Sequence, residues 1–160
     1  MKHLMLLAAL VSIPAHASDI DFWLDIHVRS IHPSIDVVYP KVDGVVIDEP
    51  MEPNESNFGI GLSFPIGEHT ELRTGFFQNT WDITSFYGAA HWHTGGPVAV
   101  GLTLGLVTGY DETPQTEMPL MPMAVPTVMF TASRARAEVG YIPPLAGLYE
   151  AITFTLGVAF

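Results

Sequence analysis

The sequence predicts an all-β fold in which eight antiparallel strands close into a transmembrane barrel. Three observations predict it. Segments of about eight to eleven residues alternate large apolar side chains with small, hydroxyl or charged ones, the period at which a strand presents two different faces. The chain is 48% hydrophobic and only 14% charged, with a mean hydropathy of +0.31, yet it holds no run of eighteen apolar residues that would read as a membrane helix. The last ten residues, 151–160, are the length a tilted strand needs to cross a bilayer's hydrocarbon.

The start of the chain has a separate purpose. Met1-Lys-His3 precedes an apolar run over residues 4–13, and Ala15-His-Ala17 follows. A short basic region, an apolar stretch and an Ala-x-Ala pattern read as a secretory signal peptide over residues 1–17, leaving 18–160 as one barrel domain. A membrane anchor is the alternative, but the run is too short and Pro14 interrupts it. With no cysteine, an exported chain has neither a disulfide scaffold nor thiol chemistry. The mature part carries five basic residues (Arg29, Lys41, Arg73, Arg134, Arg136) against seventeen acidic ones, a net of −12. That excludes nucleic acid as a partner, since phosphate binding needs basic surface.

The elements follow in order. Over residues 20–29, Ile20, Phe22, Leu24, Ile26 and Val28 share one face, with Asp21, Trp23, Asp25, His27 and Arg29 on the other. Pro33 ends this strand. Residues 33–56 are rich in proline and acid and read as a long loop. A second strand, 57–64, sets Phe58, Ile60, Leu62 and Phe64 against Gly59, Gly61 and Ser63, and 65–69 is a turn. The third, 71–79, carries Glu71, Arg73, Gly75 and Phe77 on one face, where the acid and the base can pair inside a polar lumen. Strands over 85–93 and 98–107 flank the turn Thr94-Gly-Gly-Pro97. An acidic loop, 110–117, precedes the apolar segment 118–131, whose Pro119, Pro122 and Pro126 are unusual in a central strand. Strands over 136–142 and 151–160 complete the set, the last alternating Ile152, Phe154, Leu156, Val158 and Phe160 with small residues.

Eight is the smallest common number for an outer-membrane barrel, and closure removes the sheet edges. A soluble lipocalin-type barrel is the competitor. It requires the apolar face inside, whereas the Gly, Ala and Thr residues of the second face suit a narrow lumen. The expected location is therefore the bacterial cell outer membrane, with membrane lipids and the outer-membrane insertion machinery as partners. With both termini periplasmic, the strand ends near His32, Asn79, Gly109 and Ile142 share the extracellular rim.

At that rim stand His32, Asn79 and Thr80. An imidazole beside a hydroxyl is the minimum for acyl transfer, base plus nucleophile; the same residues also suit a plain polar rim. His91 and His93 share a strand face but lack an obvious third metal ligand, so no metal or cofactor is expected. Met118, Met121, Met123 and Met129 read as adaptable filler rather than copper ligands. Asp111, Glu112 and Glu117 read as a solvated loop, or as a site for a divalent cation bridging lipid phosphates.

Several segments resemble lipid A palmitoyltransferase, an eight-stranded outer-membrane barrel that moves a palmitoyl chain from phospholipid to lipid A. They are Gly101-Leu-Thr-Leu-Gly-Leu-Val-Thr-Gly-Tyr-Asp111, Pro122-Met-Ala-Val-Pro126 and Tyr141-Ile-Pro143. Phe77-Gln-Asn-Thr-Trp81 is similar to that family's catalytic loop, and Asn54-Glu55 with Gly59-Ile-Gly61 to its second-strand region. The resemblance spans residues 20–160 and is best from 75 onward. It implies phospholipid as acyl donor, lipid A as acceptor, and a His, Asp, Ser rim matched here by His32, Asn79 and Thr80, with His27 as an alternative histidine. Asn in place of Asp removes a charge that would stabilise an imidazolium, and Thr in place of Ser adds a methyl. The family's N-terminal amphipathic helix has no counterpart. In the family, prolines weaken strand pairing at lateral gaps that admit lipid chains; Pro119, Pro122, Pro126, Pro143 and Pro144 match this or simply end strands. Gly101, Gly105 and Gly157 leave lumen space for a chain or let a small barrel close. The implied function is acyl transfer at the outer leaflet, with His32 as base, Thr80 as nucleophile or proton relay and Asn79 orienting. A non-catalytic barrel with a structural, lipid-binding or receptor role is the alternative; a lipid A hydrolase is not supported, because no His-x-Ser-Asn pattern occurs.

Overall fold

A computed structural model describes residues 21–35, 38–39, 41–42, 45–50, 52–111, 118–144 and 149–160. Strand β1 (Trp23–Ile31) leads into a long connection that holds only the short hairpin β2 (Lys41–Val42) and β3 (Val45–Val46). Seven strands follow: β4 (Gly59–Gly67), β5 (Thr70–Gln78), β6 (Thr84–His93), β7 (Val98–Val107), β8 (Met121–Ala132), β9 (Ala135–Ile142) and β10 (Ala151–Ala159). Around the wall the order is β1-β10-β9-β8-β7-β6-β5-β4, closing on β1, with every pair antiparallel. All eight expected strands form. The signal peptide and most of the acidic loop, with Glu112 and Glu117, lie outside the described residues.

The two faces of the wall divide by chemistry. Phe58, Phe64, Leu72, Phe86, Trp92, Val98, Leu104 and Phe130 are exposed on the outside, Phe86 at 59%. Asp25, Glu71, Arg73 and Arg136 are buried inside. Large apolar side chains therefore dominate the outside and charged ones the inside of the closed wall. At one end the turns are tight. Glu68-His69 joins β4 to β5, Ser133-Arg134 joins β8 to β9, and Gly95 and Gly96 take φ of 77° and 87° in the β6–β7 turn, a region that L side chains rarely occupy. At the same end Phe22 stacks on Phe160, ring centroids 5.2 Å apart. The opposite end is the rim, where β1, β5, β7 and β9 finish.

Three local departures from a regular wall shape the interior. On β1 the register with β10 slips between His27 and Arg29, leaving Val28 as an extra residue. Such a bulge reverses the side-chain parity of everything after it. Asp25 and His27 point inward before the bulge, and Ser30 and His32 do so after it, while Arg29 turns out to the exposed side. The expected inward face of β1 therefore holds as far as His27 and is overturned at Arg29.

The second departure concerns the prolines of β8. Pro122 and Pro126 lie within the strand, opposite Leu106 and Leu102 of β7, and do not end it. Thr131 donates its N–H to Pro97 O on the β7 side, so residues of the other parity, Pro122 and Pro126 among them, aim their backbone nitrogens toward β9. There the ladder to β9 runs only from Thr127–Gly140 to Ala132–Ala135. Proline is tolerated where its missing N–H has no partner strand to meet. The wall between the first half of β8 and the end of β9 is unzipped.

The third is the filling of the half near the tight turns. Arg136 bonds Asp25 (Nη2 to Oδ2, 2.9 Å) and Glu71 (Nη1 to Oε1, 2.8 Å), and its guanidinium lies 4.5 Å from the Trp23 ring centroid. Arg73 bonds Glu71 (3.0 Å) and Glu138 (2.9 Å), so the expected Glu71–Arg73 pair forms within a wider network. Ser63 donates to Asp25 at 2.5 Å. Buried charges persist only when they are paired and hydrogen-bonded, and these are. The glycines here serve that network. A Cβ on Gly157 would stand 2.7 Å from Arg136 Cγ, and one on Gly101 2.6 Å from His91 Cε1. Their space is taken by protein side chains, so of the three glycines expected to leave lumen room only Gly105 lines a cavity.

Candidate functional site

Above the charged network the lumen is hollow, with a cavity of about 550 Å³, within the range of small-molecule sites. Asp25, His27, Arg73, Tyr87 and Glu138 form its base; Phe77, Val107, Met123 and Phe154 contribute its walls. His27 is bonded at both ring nitrogens, to Thr155 Oγ1 (3.1 Å) and Tyr87 OH (3.0 Å). Asp25 and His32, just past the end of β1, are seven residues apart, one of them the bulge, so at about 3.3 Å per paired residue and a tilt near 40° the hollow is about 15 Å deep. Pro122, Met123, Ala124 and Val125 line it on one lip of the unzipped wall, Ile142 and Pro143 on the other.

At the rim end of the cavity His32 and Thr80 meet. Thr80 Oγ1 and His32 Nε2 are 2.9 Å apart, and the two residues are 9% and 7% exposed. They come from the ends of β1 and β5, 48 residues apart in sequence. Burial pushes the His32 imidazole below its ordinary value, against the opposing pull of the Glu55 carboxylate. The neutral ring is the form that can accept a proton from a hydroxyl. Its other nitrogen, Nδ1, is buried and has no hydrogen-bond partner among the described residues.

Asn79 has a different position from the one its sequence neighbourhood suggests. Its carboxamide oxygen accepts the N–H groups of Trp81 (2.9 Å) and Ile83 (3.1 Å). Its amide donates to Gly109 O (2.7 Å) and Ser85 Oγ (3.2 Å). These backbone partners identify the oxygen and nitrogen ends without ambiguity. All of these bonds fold the 79–83 turn and tie it to the end of β7, and none goes to His32. Asn79 thus presents Thr80 rather than touching the imidazole. A carboxylate could not make the two donor bonds.

Trp81, next in the chain, stacks on Tyr149 (5.6 Å) and meets Tyr110 edge-on (5.9 Å). With Val38, Val107 and Met121 they form an apolar cap at the rim. Sequence reasoning missed this cap, since its rings come from three connections, and it missed Glu55. Glu55 O accepts the Ser30 N–H at 3.0 Å, its carboxylate bonds Arg29 Nη2 at 2.5 Å, and Oε1 lies 3.4 Å from the His32 N–H nitrogen. The inward parity of His32 after the bulge was the one signal that could have led to it, and a bulge is not legible in residue types.

The remaining candidates stay apart from this site. His91 and His93 stack at 5.7 Å near the tight turns, with His69 edge-on to His93 at 5.9 Å, and His91 Nδ1 is bonded to Thr103 Oγ1 at 2.9 Å. No group of three or more His, Cys, Asp or Glu is arranged to hold a metal ion among the described residues. Met121 and Met129 face inward and are buried, and Met118 is exposed beyond the strand. No known family's sequence profile matches the chain, and no curated protein matches it.

Proposed function

We propose that this barrel resides in a bacterial outer membrane and transfers an acyl chain between lipids, as its resemblance to lipid A palmitoyltransferase implies. The observation that carries the reading is the buried 2.9 Å contact between Thr80 Oγ1 and His32 Nε2 at the mouth of a largely apolar cavity. The exposed apolar outer face matches a barrel surrounded by lipid. The break between β8 and β9 offers a side entrance for a chain that never leaves the membrane.

In this mechanism the donor's acyl chain occupies the cavity and its ester carbonyl sits at Thr80. The Thr80 hydroxyl gives its proton to His32 Nε2 while Oγ1 attacks the carbonyl carbon, and the π electrons move to the carbonyl oxygen. Collapse breaks the ester C–O bond, and the departing lysophospholipid oxygen takes the proton from Nε2. An acceptor hydroxyl on lipid A then repeats the sequence against the threonyl ester, with proton to Nε2, attack, and release of Thr80 with its proton restored. The rings of Trp81, Tyr110 and Tyr149 line the cavity and pack into the apolar cap at the rim.

Mass spectrometry of lipid A from cells producing the protein tests this. The expected outcome is a mass gain of one acyl chain, reduced at least about 100-fold in His32→Ala and in Thr80→Ala. Folded protein in the outer membrane with unchanged lipid A removes the acyl-transfer reading. It would leave the alternative of a non-catalytic, lipid-binding barrel, which one observation favours: His32 has no acid bonded to Nδ1.

A further inference from the structure

The unpartnered Nδ1 of His32 poses a chemical problem. In the tautomer a base requires, Nε2 accepts the Thr80 hydroxyl proton and Nδ1 carries the ring's own hydrogen. That N–H is then a buried donor with no acceptor, which is unfavourable and leaves the imidazolium formed during transfer without a counter-charge. Asn79 does not fill the gap, because its bonds are committed to the 79–83 turn and to Gly109.

Among the described residues, the carboxylate of Glu55 lies beside His32. Glu55 comes from the segment that enters β4, and its backbone is locked to β1 by the Ser30 N–H at 3.0 Å. Beside that contact Ser30 Oγ bonds Asn57, so the segment carrying Glu55 is held against the end of β1 at two points. Oε1 faces the His32 backbone N at 3.4 Å, while Oε2 is held by Arg29 at 2.5 Å. The Arg29 and Glu55 side chains are 58% and 33% exposed, and exposed pairs of this kind are weak. Arg29 reaches Glu55 because the bulge at Val28 turns it outward; the same bulge turns His32 inward.

We infer that Glu55 is the positioning carboxylate of the dyad, swinging from Arg29 to accept the His32 Nδ1 hydrogen and stabilise the imidazolium when Thr80 gives up its proton. The inference rests on the acyl-transfer reading and adds a third member from a different strand. Arg29 is the competitor that holds the carboxylate aside in the resting site. Among the described residues, the charged and titratable groups around the dyad are Glu55, Arg29, Asp82 at the tip of the β5–β6 turn, and the phenols of Tyr110 and Tyr149. Of these, Glu55 is the one that acts on the His32 ring by charge.

The test compares Glu55→Gln, Arg29→Ala and wild type as full-length protein in detergent micelles. Two readouts are used: acyl transfer against pH, and the His32 ring resonances followed through a proton titration. Glu55→Gln keeps the shape and removes the charge. It is expected to lower turnover about ten- to hundred-fold, less than loss of a fully buried triad carboxylate because this one is partly in water. Its charge favours the protonated ring, so removing it shifts the acid limb of the pH profile and the His32 titration to lower pH. Arg29→Ala frees the carboxylate, so turnover is expected to match or exceed wild type. Equal losses in both variants with an unmoved titration mean a structural ion pair and overturn the inference, as does Glu55→Gln with wild-type turnover. The ring titration is independent of turnover. A wild-type protein that transfers no acyl chain defeats the proposed function, whereas a His32 titration indifferent to Glu55→Gln defeats this inference.

Discussion

The two halves of the lumen are built on opposite principles. Near the tight turns, Asp25, Ser63, Glu71, Arg73, Arg136 and Glu138 fill the space and satisfy one another. Near the rim, the space is a cavity of about 550 Å³, His32 has one idle nitrogen, and the wall is unzipped along β8. One half is filled by paired charges and closed, and the other is underfilled and accessible. A satisfied network stabilises the closed wall and blocks a through-pore, whereas an unsatisfied buried donor beside a hollow is a place where a substrate or a moving side chain completes the bonding.

The contrast can be broken most strongly at Arg136. Arg136→Ala removes the charged partner of Asp25, which keeps only the Ser63 hydroxyl, and half the pairing of Glu71, leaving buried charge uncompensated. It is expected to destabilise the barrel by about 3–5 kcal/mol in reversible urea unfolding, while Thr80→Ala at the rim changes stability by less than about 1 kcal/mol. Comparable losses in the two variants would remove the distinction between the halves.

Asn79→Asp is the next largest. By sequence analogy it restores an acid to the rim, yet here it replaces two donor bonds by a carboxylate facing the Gly109 carbonyl at 2.7 Å. The expected outcome is a loss of about 1–3 kcal/mol and lower acyl transfer, measured by unfolding and by lipid A mass spectrometry. Higher activity in this variant would mean that Asn79 reaches His32 after all.

The smallest effect is expected at the gap. Continuing the β8–β9 register one step past Thr127–Gly140 places Pro126 opposite Tyr141. Pro126→Ala supplies the missing N–H, so one more pair can form, worth about 1 kcal/mol or less. Slower amide exchange at residues 141 and 142, with slower acyl transfer, would mark closure of the entrance. Unchanged exchange would mean that the loop after β9, and not the prolines, holds the wall open.

Much of this molecule can be read in its residues. Alternation places Ile60 and Phe64 against Gly59, Gly61 and Ser63 on β4, and the same rule marks Glu71 and Arg73 as an inward pair. Period-two patterning survives because each strand has one uniform surrounding on each face, so every residue reports its side independently. The rim residues were legible as a set, since an even count of antiparallel strands brings alternate strand ends to one edge. Other features depend on neighbours distant in sequence. Nothing in His27-Val-Arg29 announces a bulge, which exists because β1 must match β10 and β4 at once, and that extra residue turns His32 toward Thr80. Pro122 and Pro126 read as strand breakers until β8 is seen to lack a partner on the side their nitrogens face. Glu55 and Arg136 acquire their roles only through contacts 23 and 111 residues away. The local pattern determined the strands and their faces, because that information is carried residue by residue. Closure of the barrel decided which polar groups meet and which buried atoms are left without a partner, because those are properties of pairs.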